Sequence, residues 1–262
     1  MLEISSLFDP EIVSDFRATP IPEGFLVKVK RSKYVTKIPA EPSCEAAYLG
    51  GAIAGDGCFK KSSRKNTKYP RIAIAITNKS KRYLELLNRL FLECFAYSGQ
   101  IVKRKDKDYY DLLVSNRIIW LYFRNGIGLP QDKSRLALPK MFERGKLCRN
   151  FIAGLFDTDG YFSGGTFGIM LEGKNYPFLC QIKRAAGEQG IIFGKISRNT
   201  LVVGKKKFHR TIMRLRTMSV GAFWTRVPLR HDKYGPGEDR TPGFHRVRVT
   251  RSKKRQKRLL AP

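Results

Sequence analysis

The chain has 262 residues, enough for one large or two small domains, and 42% of them are hydrophobic, ample for a packed core. Its charge is far out of balance: 51 Lys and Arg against 22 Asp and Glu leave +29, which points to a polyanionic partner, nucleic acid above all. Five cysteines without a Cys-x-x-Cys pair argue against zinc ribbons and disulfide scaffolds. With no signal-peptide pattern and no apolar run of membrane-spanning length, the expectation is an unexported protein, cytoplasmic or organellar, with no membrane partner.

Residues 1–44 read as an N-terminal extension, broken by prolines at 10, 20, 22, 39 and 42. It is expected to be an extended arm with one short alternating stretch, Phe25 to Lys30. A first unit then spans 45–129. It opens with an apolar helix up to Asp56, followed by strands Cys58 to Lys65 and Tyr69 to Thr77, where Ile72, Ile74 and Ile76 alternate with small or polar residues. Lys81 to Tyr97 reads as an amphipathic helix capped by Ser80 and ended by Gly99, with Tyr83, Leu84, Leu87, Leu90, Phe91 and Phe95 on one face. A second hairpin, Gln100 to Lys105 with Tyr109 to Val114, and a short helix from Ile118 to Arg124 complete the unit.

After a linker at 130–145, a second unit at 146–234 repeats that order. Its helix ends at Asp159, a short hairpin turns at Gly164-Gly165, and a helix runs from Phe178 to Gln189. A long hairpin, Ile191 to Val203 with Phe208 to Arg216, and a helix around Val220 to Val227 follow. Residues 235–262 form a basic tail. The fold class read from this order is α+β, two pseudo-symmetric αββαββα halves.

The first helices of the two units are spelled alike. Tyr48-Leu-Gly-Gly-Ala-Ile-Ala-Gly-Asp-Gly-Cys-Phe59 and Phe151-Ile-Ala-Gly-Leu-Phe-Asp-Thr-Asp-Gly-Tyr-Phe162 share Gly51/Gly154, Asp56/Asp159, Gly57/Gly160 and Phe59/Phe162. Small residues every four positions, Ala47, Gly51 and Gly55 in one helix and Gly154 and Thr158 in the other, allow two backbones to approach closely. Gly57 and Gly160 read as left-handed helix ends. Each acid then lies at the negative end of a helix dipole, and two such ends side by side repel unless a cation lies between them. Hard divalent ions with oxygen ligands, Mg²⁺ first, suit that environment, and two carboxylates with such ions are parts for phosphodiester hydrolysis.

Leu49-Gly-Gly-Ala-Ile-Ala-Gly-Asp-Gly57 and Ile152-Ala-Gly-Leu-Phe-Asp-Thr-Asp-Gly160 resemble the two signatures of a double-motif LAGLIDADG homing endonuclease. The resemblance covers residues 45 to 234 and implies a monomer whose two antiparallel sheets form a saddle on double-stranded DNA. It implies cleavage of both strands across the minor groove to leave short 3′ overhangs. The metals, Mg²⁺ or substitutes such as Mn²⁺, would be held by Asp56 and Asp159, with the carbonyls of Gly55 and Thr158 as further ligands. Ala54 departs from the family's earlier acid, which Asp157 keeps; that acid is not a metal ligand in the family. The family's lysine segment is matched well by Pro130-Gln-Asp-Lys-Ser134, giving Lys133, and loosely by His231-Asp-Lys-Tyr234, giving Lys233, with Lys33 a rival. The polar residue that orders water in the family falls on Asn78 in the first half and on Glu172 in the second, an unusual carboxylate that implies unequal halves.

Strand alternation marks a contact surface independently of the family. If Phe59 and the isoleucines face the core, Lys60, Ser62, Arg64, Tyr69 and Arg71 share the outer face. In the second half Met213 and Leu215 face inward, and Arg210, Ile212, Arg214 and Arg216 outward. Lys103, Lys105 and Lys195 on the second hairpins complete the candidate DNA-binding set, suited to guanine edges and phosphates. The shorter first hairpin of the second half implies an asymmetric, long target site. Two other readings of the scaffold are an RNA maturase that binds intron RNA and a non-catalytic DNA-binding regulator.

Overall fold

The computed structural model describes residues 16–30, 32, 34–62, 71–105, 107–163, 166–172, 175–203, 206–215 and 230. The first half runs α1 (Cys44–Gly55), β4 (Gly57–Ser62), β5 (Arg71–Asn78), α2 (Lys81–Phe95), β6 (Gln100–Lys103), β7 (Tyr110–Val114) and α3 (Arg117–Leu121). The second runs α4 (Gly145–Asp159), β8 (Gly160–Ser163), β9 (Thr166–Glu172), α5 (Tyr176–Glu188), β10 (Phe193–Val203) and β11 (Lys206–Leu215). The helix expected around Val220 to Val227 lies outside the described residues. Both sheets are antiparallel, ordered β4-β5-β7-β6 and β8-β9-β11-β10, so the second repeats the topology of the first. The α+β repeat is the architecture read from the sequence.

The N-terminal segment differs from the expected extended arm. Before α1 the chain forms a three-stranded antiparallel sheet, β1 (Phe16–Ile21), β2 (Gly24–Val29) and β3 (Val35–Pro39), in that order. Its prolines do not break it, because Pro20 lies in the edge strand β1 and Pro39 ends the opposite edge strand β3, where a missing N–H matters little. Val27 and Ile38 join the common core, and the buried Thr36 hydroxyl accepts a 2.9 Å hydrogen bond from the Asn116 side chain at the start of α3.

Local signals explain most boundaries. Ser43 caps α1 by accepting from the Ala46 amide, and Ser80 caps α2 by accepting from Tyr83. All six residues expected on the inner face of α2 are buried. That helix ends at Ala96, which adopts the left-handed conformation (φ 51°), rather than at Gly99. Gly99 instead lies under the Asn88 side chain, which bonds both its amide and its carbonyl. The linker is no open strand of chain. It folds into short turns at Lys133–Arg135 and Lys140–Phe142 and buries Leu136, Leu138 and Phe142.

The halves meet along α1 and α4. A methyl group on Gly51 would collide with the Phe151 carbonyl and lie 2.7 Å from the Leu155 amide; one on Gly154 would collide with the Tyr48 carbonyl and lie 2.9 Å from the Ala52 amide. The two sets of contacts are reciprocal, as a pseudo-two-fold axis requires. Because the obstacles are backbone atoms, no side-chain rotation relieves them. Gly51→Ala and Gly154→Ala should each lower unfolding free energy by about 3 kcal/mol or more, read as a shift in urea midpoint at unchanged slope. Gly187→Ala is the control: Gly187 is an exposed residue of α5 with open space around it, so the same change there should stabilise by about 0.5–1 kcal/mol.

Candidate active site

The helix pair delivers its C-termini to one place. Asp56 caps α1 in a right-handed conformation (φ −83°, ψ −7°), and Asp159 is the last residue of α4. Neither following glycine is left-handed, contrary to the expectation from sequence: Gly160 is extended (φ −76°, ψ 153°), and Gly57 does not have positive φ. Their small size serves a close approach instead. A methyl on Gly57 would lie 2.5 Å from the Ile53 Cα and 2.6 Å from its carbonyl oxygen, and one on Gly160 would strike the Phe156 carbonyl and ring. Each sheet therefore begins folded back against the helix that carries its acid.

Gly55 shows how near the two ends come. The position of its missing Cβ abuts the Thr158 side chain and lies 3.0 Å from a carboxylate oxygen of Asp159. On the other side, the Lys133 ammonium donates to the Gly55 carbonyl. The Asn78 amide donates to Asp56 Oδ2 at 3.2 Å, while Asn78 Oδ1 accepts from the Ser80 amide at 2.9 Å. The end of β5 and the start of α2 thus orient the Asp56 carboxylate. The Thr158 hydroxyl is turned back into its own helix, donating toward the carbonyls of Gly154 (3.1 Å) and Leu155 (3.0 Å). It leaves the residue's carbonyl as its candidate ligand.

Beneath the acids lies a buried polar group that the sequence did not single out. Tyr48 donates to Asp157 at 2.5 Å, and the hydroxyls of Tyr48 and Tyr83 are 3.4 Å apart. Burial raises the Tyr83 pKa well above the ordinary phenol value, and the charges of Asp157, Asp56 and Asp159 raise it further, Tyr48 alone opposing. One phenol therefore feels all three carboxylates. Tyr83 stays protonated, and in the sequence it was only one more large residue on the inner face of α2.

The second half is not a copy at the strand end. Gly57 pairs with Ile76 and Gly160 with Ile169, so counting two residues along each strand matches Asn78 with Leu171, not with Glu172. Leu171 is buried. Position 172 is the Cα partner of Arg210. By backbone register Leu171 stands level with Asn78, with Glu172 the next residue along.

The outer faces carry the cations. Lys60 pairs with Ala73 on the face opposite Phe59 and Ile74, and Lys60, Lys103, Lys105 and Lys195 are all exposed. Lys195 sits where β10 gains a residue between Phe193 and Ile196, a bulge that leaves both neighbours in the core. Ser62 and Arg71 are Cα partners at the far end of β4 and β5. Arg210 and Arg214 pair with Glu172 and Gly168 in β11 and β9. Lys33, Arg64, Tyr69, Arg216 and Lys233 lie outside the described residues. Sequence reading missed Arg104, whose Nε donates to both Asp111 oxygens (3.0 and 2.9 Å) and which also reaches the Thr77 hydroxyl. Partial burial raises the Asp111 pKa, but the hydrogen bonds from Arg104 and Thr77 and the Arg104 charge outweigh it and hold it below the usual value.

This donor set suits a hard cation. Among the described residues no group of three or more His, Cys, Asp and Glu side chains could hold a metal by itself. Two carboxylates and helix-end carbonyls are oxygen donors that need completion by water or a phosphate, which is how Mg²⁺ is commonly bound.

Comparison with known proteins places these features in a family. A model described as a LAGLIDADG-like domain matches residues 43–128 and again 146–225. The fold is similar to that of the homing endonuclease I-DmoI in a study of its mesophilic variants, at 20% identity and a TM-score of 0.54, covering 72% of this chain and 97% of that one. It is similar at 20% identity and 0.53 to I-DmoI in complex with DNA and Mn, covering 72% and 98%. A variant of I-DmoI in complex with its target DNA in the presence of Mg gives 19%, 0.54, 72% and 97%. With both repeats matched, and with a reciprocal glycine contact joining two acid-tipped helices, the chain belongs to the LAGLIDADG family, carrying the motif twice.

Proposed function

We propose that this protein is a site-specific DNA endonuclease of the intron-homing type, cutting both strands across the minor groove to leave short 3′ overhangs. The observation that carries the reading is the meeting of the Asp56 and Asp159 helix ends at Gly55, between two sheets bearing exposed lysines. Two acidic helix ends so close are unfavourable without cations; divalent metal would neutralise them, and a phosphodiester oxygen or water would complete the metal's oxygen ligands. I-DmoI structures with DNA and Mn support the same reading. Nothing observed favours the maturase or regulator alternatives.

Asp56 and Asp159 would hold divalent ions, Mg²⁺ or Mn²⁺, with the carbonyls of Gly55 and Thr158 beside them. When bound, such ions acidify water and stabilise the leaving oxygen. The chain's own groups do the positioning. The Asn78 amide holds the Asp56 carboxylate, and Lys133 places an ammonium at the Gly55 carbonyl, where it can stabilise negative charge developing on phosphate. Lysines and arginines of the two sheets fix the duplex by its phosphates and read base edges. The unequal strand ends, Asn78 against Leu171, and unequal hairpins, β10 and β11 of 11 and 10 residues against β6 and β7 of 4 and 5, fit an asymmetric target.

The test is cleavage of a plasmid library carrying randomised sites. Cutting should require Mg²⁺ or Mn²⁺ and stop with EDTA, and Asp56→Asn or Asp159→Asn should each slow it at least about a hundredfold. Cleavage at the full rate in either variant would contradict the proposed site. Binding should also depend on salt: on the selected site, Lys60→Ala or Lys195→Ala should reduce the slope of log affinity against log salt by about one, measured by fluorescence anisotropy. An unchanged slope would remove that residue from the phosphate contacts.

A further inference from the structure

The pseudo-two-fold axis relates three positions that differ together. On one side stand Tyr48, Asp157 and Arg230; their counterparts are Phe151, Ala54 and Pro130. The first two pairs follow from the motif repeat, and the third from the shared Asp-Lys of Pro130-Gln-Asp-Lys133 and Arg230-His-Asp-Lys233. On the polar side, Asp157 is fully buried and one oxygen, Oδ2, accepts from both the Tyr48 hydroxyl (2.5 Å) and the Arg230 backbone amide (2.7 Å). The Arg230 guanidinium lies 5.1 Å from the centre of the Tyr48 ring and reaches Glu45 at 3.3 Å. On the apolar side, Ala54 and Pro130 line one small cleft with Lys133, and proline has no amide hydrogen to satisfy.

From this concerted difference we infer that Asp157 is a positioning residue. Its oxygen anchors the chain at Arg230 as it returns to the helix pair, three residues before Lys233, a task that Pro130 performs in the other half without a hydrogen bond. Each half must bring its chain back to the base of the motif helix. Where the returning residue has an amide, the buried Asp157 carboxylate accepts from it, a charge-assisted bond that fixes the chain there. Where it is proline, the acceptor is superfluous and an alanine fills the place. Tyr48 and Phe151 follow suit: a hydroxyl meets the acid, and where the acid is an alanine the corresponding ring carries no hydroxyl. The earlier acid of the second motif thus serves the Arg230 amide and the Tyr48 hydroxyl.

The functional consequence rests on the nuclease reading: the anchor serves one half, so its loss should affect one strand. Two measurements test it on the full chain. In thermal unfolding, Asp157→Ala should lower Tm by about 4 °C or more. The triple variant Tyr48→Phe/Asp157→Ala/Arg230→Pro, which copies the other half, should regain at least half of that loss. Asp157→Asn, which keeps an acceptor oxygen, should stay near the parent. On the supercoiled plasmid selected by the wild type, Asp157→Ala should widen the ratio of the two strand-cleavage rates about tenfold, accumulating nicked circle, and the triple variant should restore linear product. Equal slowing of both strands, or a triple variant no better than Asp157→Ala in both assays, would overturn the inference. If the wild type cuts no library member, the nuclease reading fails, while the Tm comparison still decides the anchor.

Discussion

Everything at the centre of this protein depends on two backbones touching. Gly51 and Gly154 let α1 and α4 approach until the carbonyl of one helix lies where a side chain of the other would begin. Only at that separation do the helix ends meet, Gly55 against Thr158 and Asp159. The acids are thus brought together by the absence of side chains five residues earlier in each helix. The sheets inherit the same constraint, because β4 and β8 start from Gly57 and Gly160, pressed against the last turns of those helices.

That packing concentrates negative charge, and the surroundings answer it. Helix C-termini are negative ends, and three aspartates lie within electrostatic reach of the Tyr83 phenol. Lys133 arrives from the linker to the Gly55 carbonyl, Asn78 donates to Asp56, and the Asp157 oxygen is consumed by Tyr48 and the Arg230 amide. Asp157 is therefore engaged through Oδ2 by two protein donors, while Asp56 and Asp159 stand at the helix ends. In a chain of +29 overall charge, this acidic point is where, on the proposed nuclease function, a duplex held by the basic faces would bring a phosphate.

Patterns set by short-range periodicity were legible from the residues. The alternation of Ile72, Ile74 and Ile76 gave the inner face of β5, where Ile74 and Ile76 are buried and Ile72 half-buried, and the spacing from Tyr83 to Phe95 gave the buried face of α2. The duplicated helix showed both acids and the close approach. What escaped depended on context. The prolines around β1 and β3 read as interruptions because edge strands accept them only once a sheet exists to have an edge. The strand register that sets Leu171, rather than its neighbour Glu172, level with Asn78 depends on pairing that the residues of one strand do not contain. Gly57 and Gly160 are glycines for room, and not for handedness. The roles of Tyr48 and Tyr83 arise from a polar group buried by three helices, which no single helix pattern contains.

The central claim is that Asp56 and Asp159 converge to hold divalent metal at the meeting of the two helices. Anomalous diffraction from crystals of the protein with its selected DNA and Mn²⁺ measures this directly. The account predicts manganese peaks at about 2.1 Å from carboxylate oxygens of Asp56 and Asp159, with Asp157 still bonded to the Arg230 amide. Manganese bound away from both acids, or coordinated by Asp157, would contradict it.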